Sequence, residues 1–314
     1  MAIRLTDHFV GALVGMMTGD ALGRSTKNHT PDELRDHEEL GRAMIGGFYS
    51  EDTEMMITVA ESLLACDGVD RDDLAVRFGE NLTPMRGYNP GALEVMYRLQ
   101  RGIDWRDANR AVFPDGSYGI GGAPRAAPVG LMYHGDHDAL VAAAAASAEV
   151  THTHPVGMAG AVTVALGVSL ALEQGSPDDL LIRLLDALTA WGFGAFLPHL
   201  GLVRRLLDAD ADTVRVVEWL GGNTLTVQQC VPASVYSVLR FWDSFEDAVS
   251  FAAQVGGDAD SIAAMAGALA GARHGVRTIP GRWLERLENE ERGYSTVVKL
   301  AKRLYDRWQA ATGD

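Results

Sequence analysis

Apolar residues recur along most of this chain at spacings of three and four, which is the pattern of an α-helix with one buried face. The pattern is clearest in six segments: 6–23, 53–65, 154–173, 228–241, 258–274 and 291–309. Glycine, proline and aspartate mark the connecting segments, at 24–49, 83–91, 113–128, 174–178, 192–201 and 220–227. No segment combines apolar–polar alternation with β-branched residues, and none has the composition of an interdomain linker. We therefore predict an all-α fold in which residues 1–314 form a single domain of many short helices.

Two of the predicted helices carry small residues at a strict spacing of four. These residues are Gly11, Gly15, Gly19 and Gly23 in one helix, and Ala263, Gly267, Gly271 and Gly275 in the other. Residues four apart share a helix face, so each helix presents a stripe of nearly bare backbone. Interior glycine costs about 1 kcal/mol relative to alanine, and close helix–helix approach offsets that cost. Because acidic residues and an arginine lie in the same helices, we predict tight packing inside a bundle rather than a membrane dimer.

Charge and composition limit the classes of function and of partner. The 27 basic residues against 42 acidic ones give a formal net charge of -15, which repels nucleic acid. The most apolar stretch, 156–172, is broken by glycines and is shorter than a membrane span, so we expect a buried helix and no membrane partner. Two cysteines in no metal-binding pattern and the absence of a secretory signal indicate a reduced, cytoplasmic protein. The oligomeric state stays open, with a monomer favoured.

Two acidic clusters, 50–52 and 258–261, stand at the starts of predicted helices. Taken singly, each is explained by N-capping and by the preference of acids for the first helical turn. If the two helix starts face one another, four carboxylates and two hydroxyls converge, and such a group needs divalent cations to balance its charge. An all-oxygen ligand set selects Mg²⁺, Mn²⁺ or Ca²⁺ over zinc. The sequence itself leaves open whether the clusters meet.

Other features of the sequence also bear on its chemistry. The segment 116–121 is similar to a dinucleotide-binding loop, but no strand precedes it. No Gly-x-Ser-x-Gly motif is present, so a serine hydrolase finds no support. We predict that His152 faces the substrate or caps a helix, with a purely structural role as the alternative. We predict that Asp20 is a packed, hydrogen-bonded acid near the site rather than a metal ligand.

In their order along the chain, these segments resemble the ADP-ribosylglycohydrolases. That family includes the dinitrogenase-reductase-activating glycohydrolase and the ADP-ribosylarginine and ADP-ribosylserine hydrolases. The segment 11–23 resembles the opening helix of the family. The segments 50–53 (SEDT) and 256–261 (GGDADS) resemble its two metal motifs, usually Thr-Asp-Asp-Thr and Gly-Gly-Asp-x-Asp-Thr. Between them, 119–128 resembles its glycine-rich ligand loop, and 151–155 (THTHP) resembles a Thr-His segment that precedes a long central helix.

The resemblance implies an orthogonal helical bundle of the ADP-ribosylglycohydrolase type with two divalent cations, Mg²⁺ or Mn²⁺. The implied metal ligands are Ser50, Glu51, Asp52, Asp258, Asp260 and Ser261. The implied reaction is hydrolysis of the glycosidic bond that joins ADP-ribose to an ADP-ribosylated protein or to the acceptor of a small-molecule ADP-riboside. Glu51 or Asp52 would then take a proton from the attacking water as an oxocarbenium-like centre develops.

The expected substrate-binding residues come from the ligand loop and from two other turns. They are Asn89, Ser117, Tyr118, Gly119, Gly121, Gly122, Arg125 and His152. The glycine N–H groups and the Arg125 guanidinium are expected to cradle a diphosphate. For Asn89, a plain surface turn is the open alternative.

Some positions depart from the family pattern. Lys27 stands where many members carry a glutamate that in some of them is catalytic or gates the site. Glu33, Glu38 and Glu39 follow it and are candidates for the missing carboxylate. Glu51 replaces an aspartate and is one methylene longer, which moves a ligand or a base by about 1 Å.

These departures keep rival interpretations open. The first is an ADP-ribose- or nucleotide-binding protein without turnover, which Lys27 and Glu51 favour. The second is a hydrolase of another N-riboside. Ile120 and Pro124 stand where Asn and Met are common in the family, so the contacts to the phosphates or to the distal ribose are expected to differ. The third is a structural use of the fold, which predicts neither metal nor ligand.

Overall fold

The structure is a computed structural model that describes residues 4–313, except for the side chain of Glu38. The chain is 71% helical, and no β-strand occurs among residues 4–313, which confirms the all-α prediction. The α-helices are α1 Leu5–Gly23, α2 Pro31–Arg35, α3 Glu51–Cys66, α4 Arg71–Glu80, α5 Pro90–Gln100, α6 Trp105–Val112, α7 Ala127–Met132, α8 His137–Glu149, α9 Pro155–Leu172, α10 Pro177–Ala190, α11 Leu197–Asp208, α12 Thr213–Leu220, α13 Val227–Arg240, α14 Phe245–Gln254, α15 Ala259–His274, α16 Gly281–Leu284 and α17 Tyr294–Thr312. Short 3₁₀ helices occupy Glu38–Gly41, Pro84–Arg86, Ile120–Gly122, Pro124–Ala126 and Val276–Thr278.

The six helices predicted from periodicity are all present, with ends that differ by at most three residues. The structure adds short helices inside segments that were predicted to be connections. Helix α2 is one of these, and it begins with a capping box in which Thr30 and Glu33 satisfy each other's backbone N–H groups, followed by Pro31 at the first helical position. Such helices are set by their caps rather than by an apolar face, so periodicity alone does not locate them.

Helices α1 and α15 pack antiparallel along their stripes of small residues. The facing pairs are Gly11–Gly271, Gly15–Gly267, Gly19–Ala263 and Gly23–Ala259. A Cβ atom on Gly19 would lie 1.9 Å from the carbonyl oxygen of Ala263, and one on Gly15 would lie 2.2 Å from that of Gly267. The predicted tight packing is therefore confirmed. Because the helices run antiparallel, the end of α1 lies beside the start of α15.

Helix α9 is buried among the other helices of the bundle. Among the residues that the structure describes, it is the one helix long and apolar enough to span a membrane by length and composition. It packs against α7, α8 and α15, and 89% of the apolar window is buried inside the protein. This placement agrees with the prediction of a buried core helix.

Candidate functional site

The carboxylate of Asp20, in the last turn of α1, fixes the start of α3. It accepts hydrogen bonds from the N–H groups of Ser50 and Thr53 at 3.0 and 3.1 Å and from the Thr53 hydroxyl at 2.6 Å. Burial, and then the charge of Asp260, raises the pKa of Asp20 to about 6 in spite of these bonds. Asp20 is thus the packed, hydrogen-bonded acid that we predicted, and it ties α1 to the first acidic cluster.

The two acidic clusters meet in the structure. The Ser261 hydroxyl donates to Asp52 Oδ2 at 2.5 Å, although the two residues are 209 positions apart in the chain. The Asp258 carboxylate accepts a hydrogen bond from the backbone N–H of Leu225, and Asp260 Oδ1 accepts one from the N–H of Ser261 at 3.0 Å. The starts of α3 and α15 therefore face each other at the end of α1, which the sequence left open.

Lys27 lies within the same group of charges. Its Nζ atom is 2.6 Å from Asp260 Oδ2, and the Asp260 side chain is only 1% exposed. Burial by itself would lower the pKa of Lys27, but the charges of Asp260 and Glu51 raise it above its ordinary value. The ammonium group is therefore positively charged, and it partly neutralises the carboxylates around it.

One ammonium group leaves the acidic cluster short of positive charge. Burial, and then the charge of Asp260, raises the pKa of Glu51 to about 7, although Lys27 opposes this. Burial and the Glu51 charge raise the pKa of Asp52 well above its usual range, and burial also raises that of Asp258. Glu51 Oε2 is buried and has no hydrogen-bond partner. An uncompensated group of oxygen atoms of this kind chemically fits a hard divalent cation.

This ligand set is not a preformed cage. Among residues 4–313, no three acidic, histidine or cysteine side chains are already gathered around one point as a metal site. Two of the carboxylates instead accept hydrogen bonds from the chain, Asp52 from the Ser261 hydroxyl and Asp260 from the Lys27 ammonium group. The donor chemistry therefore fits a cation, and binding one requires some carboxylate oxygens to exchange a donor of the chain for the ion.

A cleft opens beside the acidic cluster. Its polar lining includes Glu51, Asp52, Asn89, Ser117, Gly119, Gly121, Arg125, Thr151, His152 and Ser261. Its apolar lining includes Met55, Tyr88, Ala92, Val95, Met96, Phe113 and Ile120. Six of the eight predicted substrate-binding residues thus line the cleft. Of the other two, Tyr118 is 50% exposed and packs edge-on against the His154 ring, whereas Gly122 is buried against His152.

The predicted ligand loop is held in place by the segment that precedes α13. The N–H of Ile120 donates to the carbonyl of Leu225 at 2.9 Å, and that of Val227 donates to the carbonyl of Tyr118 at 3.3 Å. The glycines let the loop pass close to His152, because a Cβ atom on Gly122 would lie 3.2 Å from the Cγ atom of that ring. The loop and the histidine therefore form one wall of the cleft.

His152 is held in one orientation by its neighbours. Its Nδ1 atom is 2.6 Å from the Thr151 hydroxyl, which itself accepts a hydrogen bond from Arg125 at 2.8 Å. The Thr151 hydroxyl then donates its proton to Nδ1. Nδ1 is therefore the unprotonated ring nitrogen, and the ring proton lies on Nε2, the ring nitrogen next to Gly119 of the ligand loop. Burial, and then the charge of Arg125, lowers the pKa of His152 to about 3. His152 therefore presents a neutral N–H donor to the cleft.

The Arg125 guanidinium is largely used by the protein itself. It is fully buried, donates to Thr151 Oγ1 and to the carbonyl of Ser147, and lies 4.6 Å above the Phe78 ring. Its Nε atom is buried without a partner, and burial lowers the pKa of the group to about 10. Arg125 is therefore a buried support beneath the cleft, and its contact with a diphosphate stays a prediction.

The turn that contains Asn89 combines the two roles that we weighed for it. Asn89 is an exposed N-cap residue whose Oδ1 atom accepts from the N–H of Ala92 at 2.9 Å, and it also borders the cleft. Tyr88 beside it is buried and donates to Glu54 Oε1 at 2.9 Å. Asn89 thus lies at the edge of the cleft, and the hydrogen bond from Tyr88 to Glu54 holds the neighbouring backbone in place.

The structure does not bring the candidate replacement carboxylates to the cleft. Glu33 is exposed and engaged in the capping box with Thr30. Glu39 is exposed and pairs with His37 at 3.5 Å. The side chain of Glu38 lies outside the described residues. The expectation that a nearby glutamate compensates for Lys27 is therefore wrong for Glu33 and Glu39.

The apolar half of the cleft was missed from the sequence. Met55 lies one helical turn after Glu51 and so shares its face, which is a signal that was available. Met96 and Phe113 come from α5 and from the end of α6, and no local pattern connects them to the acidic cluster. Only the tertiary arrangement reveals them as neighbours.

Comparison with known proteins agrees with this architecture. The family model described as ADP-ribosylglycohydrolase matches residues 1–313. The chain is 31% identical to an uncharacterized protein of Archaeoglobus fulgidus, over 96% of this chain and 97% of that protein. It is 30% identical to human ADP-ribosylhydrolase ARH3, over 98% and 95%, and 27% identical to the ADP-ribosylarginine hydrolase Tri1 of Serratia proteamaculans, over 95% and 79%. A solved structure titled "ADP-ribosylglycohydrolase-related protein complex" superposes with a TM-score of 0.68 at 24% identity, covering 96% of this chain and 98% of that one, which shows a shared fold.

Proposed function

Because the chain belongs to the ADP-ribosylglycohydrolase family, we propose that it is a metal-dependent hydrolase of the bond between ADP-ribose and an acceptor. The observation that carries the proposal is the meeting of the clusters 50–52 and 258–261 at the edge of a cleft, with the buried Glu51 Oε2 atom left without a donor. We further propose that residues 1–314 act as one domain. A cytoplasmic location, a monomeric state and the absence of nucleic-acid and membrane partners stay predictions.

We propose Mg²⁺ or Mn²⁺ as the cofactor, held by oxygen atoms of the six residues named from the sequence. When bound, a divalent cation neutralises the carboxylates and polarises the ribose hydroxyls that coordinate it. The six residues are Ser50, Glu51, Asp52, Asp258, Asp260 and Ser261. The support is chemical, since the pKa values of several of these carboxyl groups are raised by burial and by one another.

Glu51 is the residue we assign to proton transfer. It borders the cleft, and its buried Oε2 atom has no hydrogen-bond partner, so this oxygen is open to the proton of a water molecule in the cleft. Asp52 is held by Ser261 and places negative charge next to the same cleft, where an oxocarbenium-like centre is stabilised. Glu51 thus takes the proton of the attacking water, and Asp52 orients the reacting sugar electrostatically.

The two halves of the cleft suit the two ends of an ADP-ribosyl group. The polar half offers the Nε2–H of His152, the Ser117 hydroxyl and the glycine backbone to ribose and phosphate oxygens. The apolar half offers Met55 and Phe113, and a flat purine gains most from stacking on an aromatic ring. We therefore place the purine end against the apolar wall and the scissile bond at Glu51.

An assay on defined substrates tests the proposal and its rival. The rival is a protein that binds ADP-ribose without turnover, and it is favoured by the ion pair between Lys27 and Asp260. Because one relative is named as an ADP-ribosylarginine hydrolase, arginine is one acceptor to include. ADP-ribosyl-arginine and ADP-ribosyl-serine peptides are incubated with the protein, with Mg²⁺ and with EDTA, and ADP-ribose binding is measured by calorimetry. Release that EDTA abolishes supports the enzyme, whereas tight binding without release from either peptide supports the rival.

A further inference from the structure

Lys27 is fixed in the site by the backbone. Helix α1 ends at Gly23, where a Cβ atom would lie 2.3 Å from the carbonyl oxygen of Ala259 in the first turn of α15. Directly after Lys27, the N–H of Asn28 donates to the carbonyl of Gly257 at 2.8 Å, and the N–H of Gly257 donates to the carbonyl of His29 at 2.9 Å. Two backbone hydrogen bonds to Gly257 thus join the residues directly after Lys27 to the second acidic motif.

The Lys27 ammonium takes up an oxygen that a metal ion would use. Asp260 Oδ2 accepts from Lys27 Nζ at 2.6 Å, while Asp260 Oδ1 accepts from the N–H of Ser261 at 3.0 Å. Both carboxylate oxygens are therefore engaged by donors of the chain. A divalent cation bound to the same oxygen at about 2.0–2.2 Å would stand beside the ammonium group, and the two like charges repel strongly in a buried site.

The rest of the cluster still lacks positive charge on its Glu51 side. Glu51 Oε2 is buried without a partner, and Asp52 keeps one oxygen that is not bonded to Ser261. The Lys27 charge acts on Glu51 as well, but its ammonium group donates to Asp260 and leaves Glu51 Oε2 without a donor. The Asp260 end of the cluster is thus in contact with a cation of the chain, and the end at Glu51 and Asp52 keeps oxygen atoms open to a bound one.

We propose that Lys27 replaces one of the two divalent cations, so that this chain binds a single ion next to Glu51 and Asp52. The inference rests on the proposed metal site and deepens it, because it states how many ions that site takes. Removal of the ammonium group then frees Asp260 and opens the second position. The chain contains three lysines. The other two, Lys299 and Lys302, are both exposed and lie on the last helix, α17.

The number of bound ions tests this proposal without reference to activity. Mn²⁺ is titrated calorimetrically into EDTA-treated, desalted wild-type protein, Lys27→Met, Lys27→Gln and the matched control Lys302→Met. Electron paramagnetic resonance of the loaded samples distinguishes an isolated Mn²⁺ from an exchange-coupled pair. We expect one ion per chain and an uncoupled spectrum for the wild type and for Lys302→Met. We expect two ions and a coupled spectrum for the two Lys27 variants.

Each other outcome decides between the inference and the proposed function. Two ions in the wild type, or one ion in all four proteins, overturns the inference and leaves the metal-dependent function standing. No ion in any of the proteins overturns both. Melting curves in EDTA check that the variants fold. If neither Lys27 variant folds, the wild-type stoichiometry decides alone, since one ion supports the proposal and two overturn it.

Discussion

At the scale of single residues, the acidic neighbours Glu51 and Asp52 are held in different ways. Asp52 is 1% exposed and accepts a hydrogen bond from Ser261, whereas Glu51 has a buried oxygen without a donor. The hydrogen bond from Ser261 occupies an oxygen of Asp52, whereas the Glu51 Oε2 atom has no donor and is open to a proton from the cleft. The longer side chain at position 51 is therefore the better placed group for proton transfer.

Replacement of Glu51 with glutamine tests this assignment. The change keeps the shape of the side chain and removes its ability to take a proton, so we expect kcat for ADP-ribosyl-peptide hydrolysis to fall by about 10²–10⁴. The measurement is the rate of ADP-ribose release at saturating Mg²⁺. Glu61→Gln, on the same helix α3 and outside the cleft, is the control. A Glu51→Gln enzyme that retains the wild-type rate would remove Glu51 from the chemistry.

His152 gives a prediction for acid stability. Its pKa is about 3 in the folded protein, and its ordinary value is 6.5. Between these values the unfolded chain binds a proton that the folded protein does not, so this residue's contribution to stability is lost as the pH falls below about 6.5. We expect His152→Asn to flatten the dependence of the urea midpoint on pH between about 6.5 and 4. The exposed His37→Asn is the matched control, and equal slopes for all three proteins would contradict the prediction.

At the scale of elements, the contact between α1 and α15 determines where the site forms. The stripes of small residues let the two backbones touch, and the antiparallel register then places Asp20 and Lys27 beside the start of α15. The spacing of the glycines sets the distance between the two helices, and that distance sets the position of the charged groups. A change inside the contact is therefore expected to affect both stability and the site.

A methyl group added to this contact tests its tightness. In an ordinary helix Gly→Ala gains about 1 kcal/mol, but a Cβ atom on Gly15 would lie 2.2 Å from the carbonyl oxygen of Gly267. We expect Gly15→Ala to lower the free energy of unfolding by about 1–3 kcal/mol or more, as overpacked cores do. Gly201→Ala, in α11 with no neighbouring atom within 4 Å, is expected to stabilise the protein slightly. Urea denaturation of both variants measures the contrast, and a Gly15→Ala protein as stable as the wild type would refute close packing.

Sequence reasoning located the helices that stand out by strict spacing or by apolar composition, and it did not locate several helices with one apolar face, among them α10, α11 and α14. The stripes of α1 and α15 were visible because their spacing is strict, and the long apolar α9 was visible because of its composition. Helix α2 was missed because a capping box and a proline define it. The meeting of 50–52 with 258–261 was beyond local patterns, since nothing in a helix start specifies a partner about two hundred residues away; the family resemblance supplied that expectation. The apolar wall at Met96 and Phe113 had no such guide.

At the scale of the whole molecule, the formal net charge is -15, so a bound cation reduces the repulsion among acidic groups in the folded protein. The acidic cluster joins α1, α3 and α15, so an ion bound there holds together segments from both ends of the chain. An ion that binds the folded protein and not the unfolded chain stabilises it by about 2.7 kcal/mol at 100 times its Kd. Metal binding is thus expected to register in the unfolding of the entire protein.

Melting curves with and without Mg²⁺ or Mn²⁺ test this coupling. We expect either ion to raise the melting temperature of the wild type by several degrees, and we expect Asp52→Ala to abolish the increase because it removes a ligand of the ion proposed next to Glu51 and Asp52. Asp208→Ala, at the end of α11, is a control that should keep the increase. A wild-type protein whose melting temperature does not respond to either ion would contradict the proposed metal site.

The pairing of α1 with α15 also imposes an order in time. About 240 residues separate Gly23 from Ala259, and ribosomes add about 5–20 residues per second, so the glycine stripe of α1 waits on the order of 10–50 seconds for its partner to be made. During that interval the first acidic cluster exists without the second. A nascent chain therefore cannot assemble the two clusters one after the other, and the proposed metal site is complete only after α15 has been made.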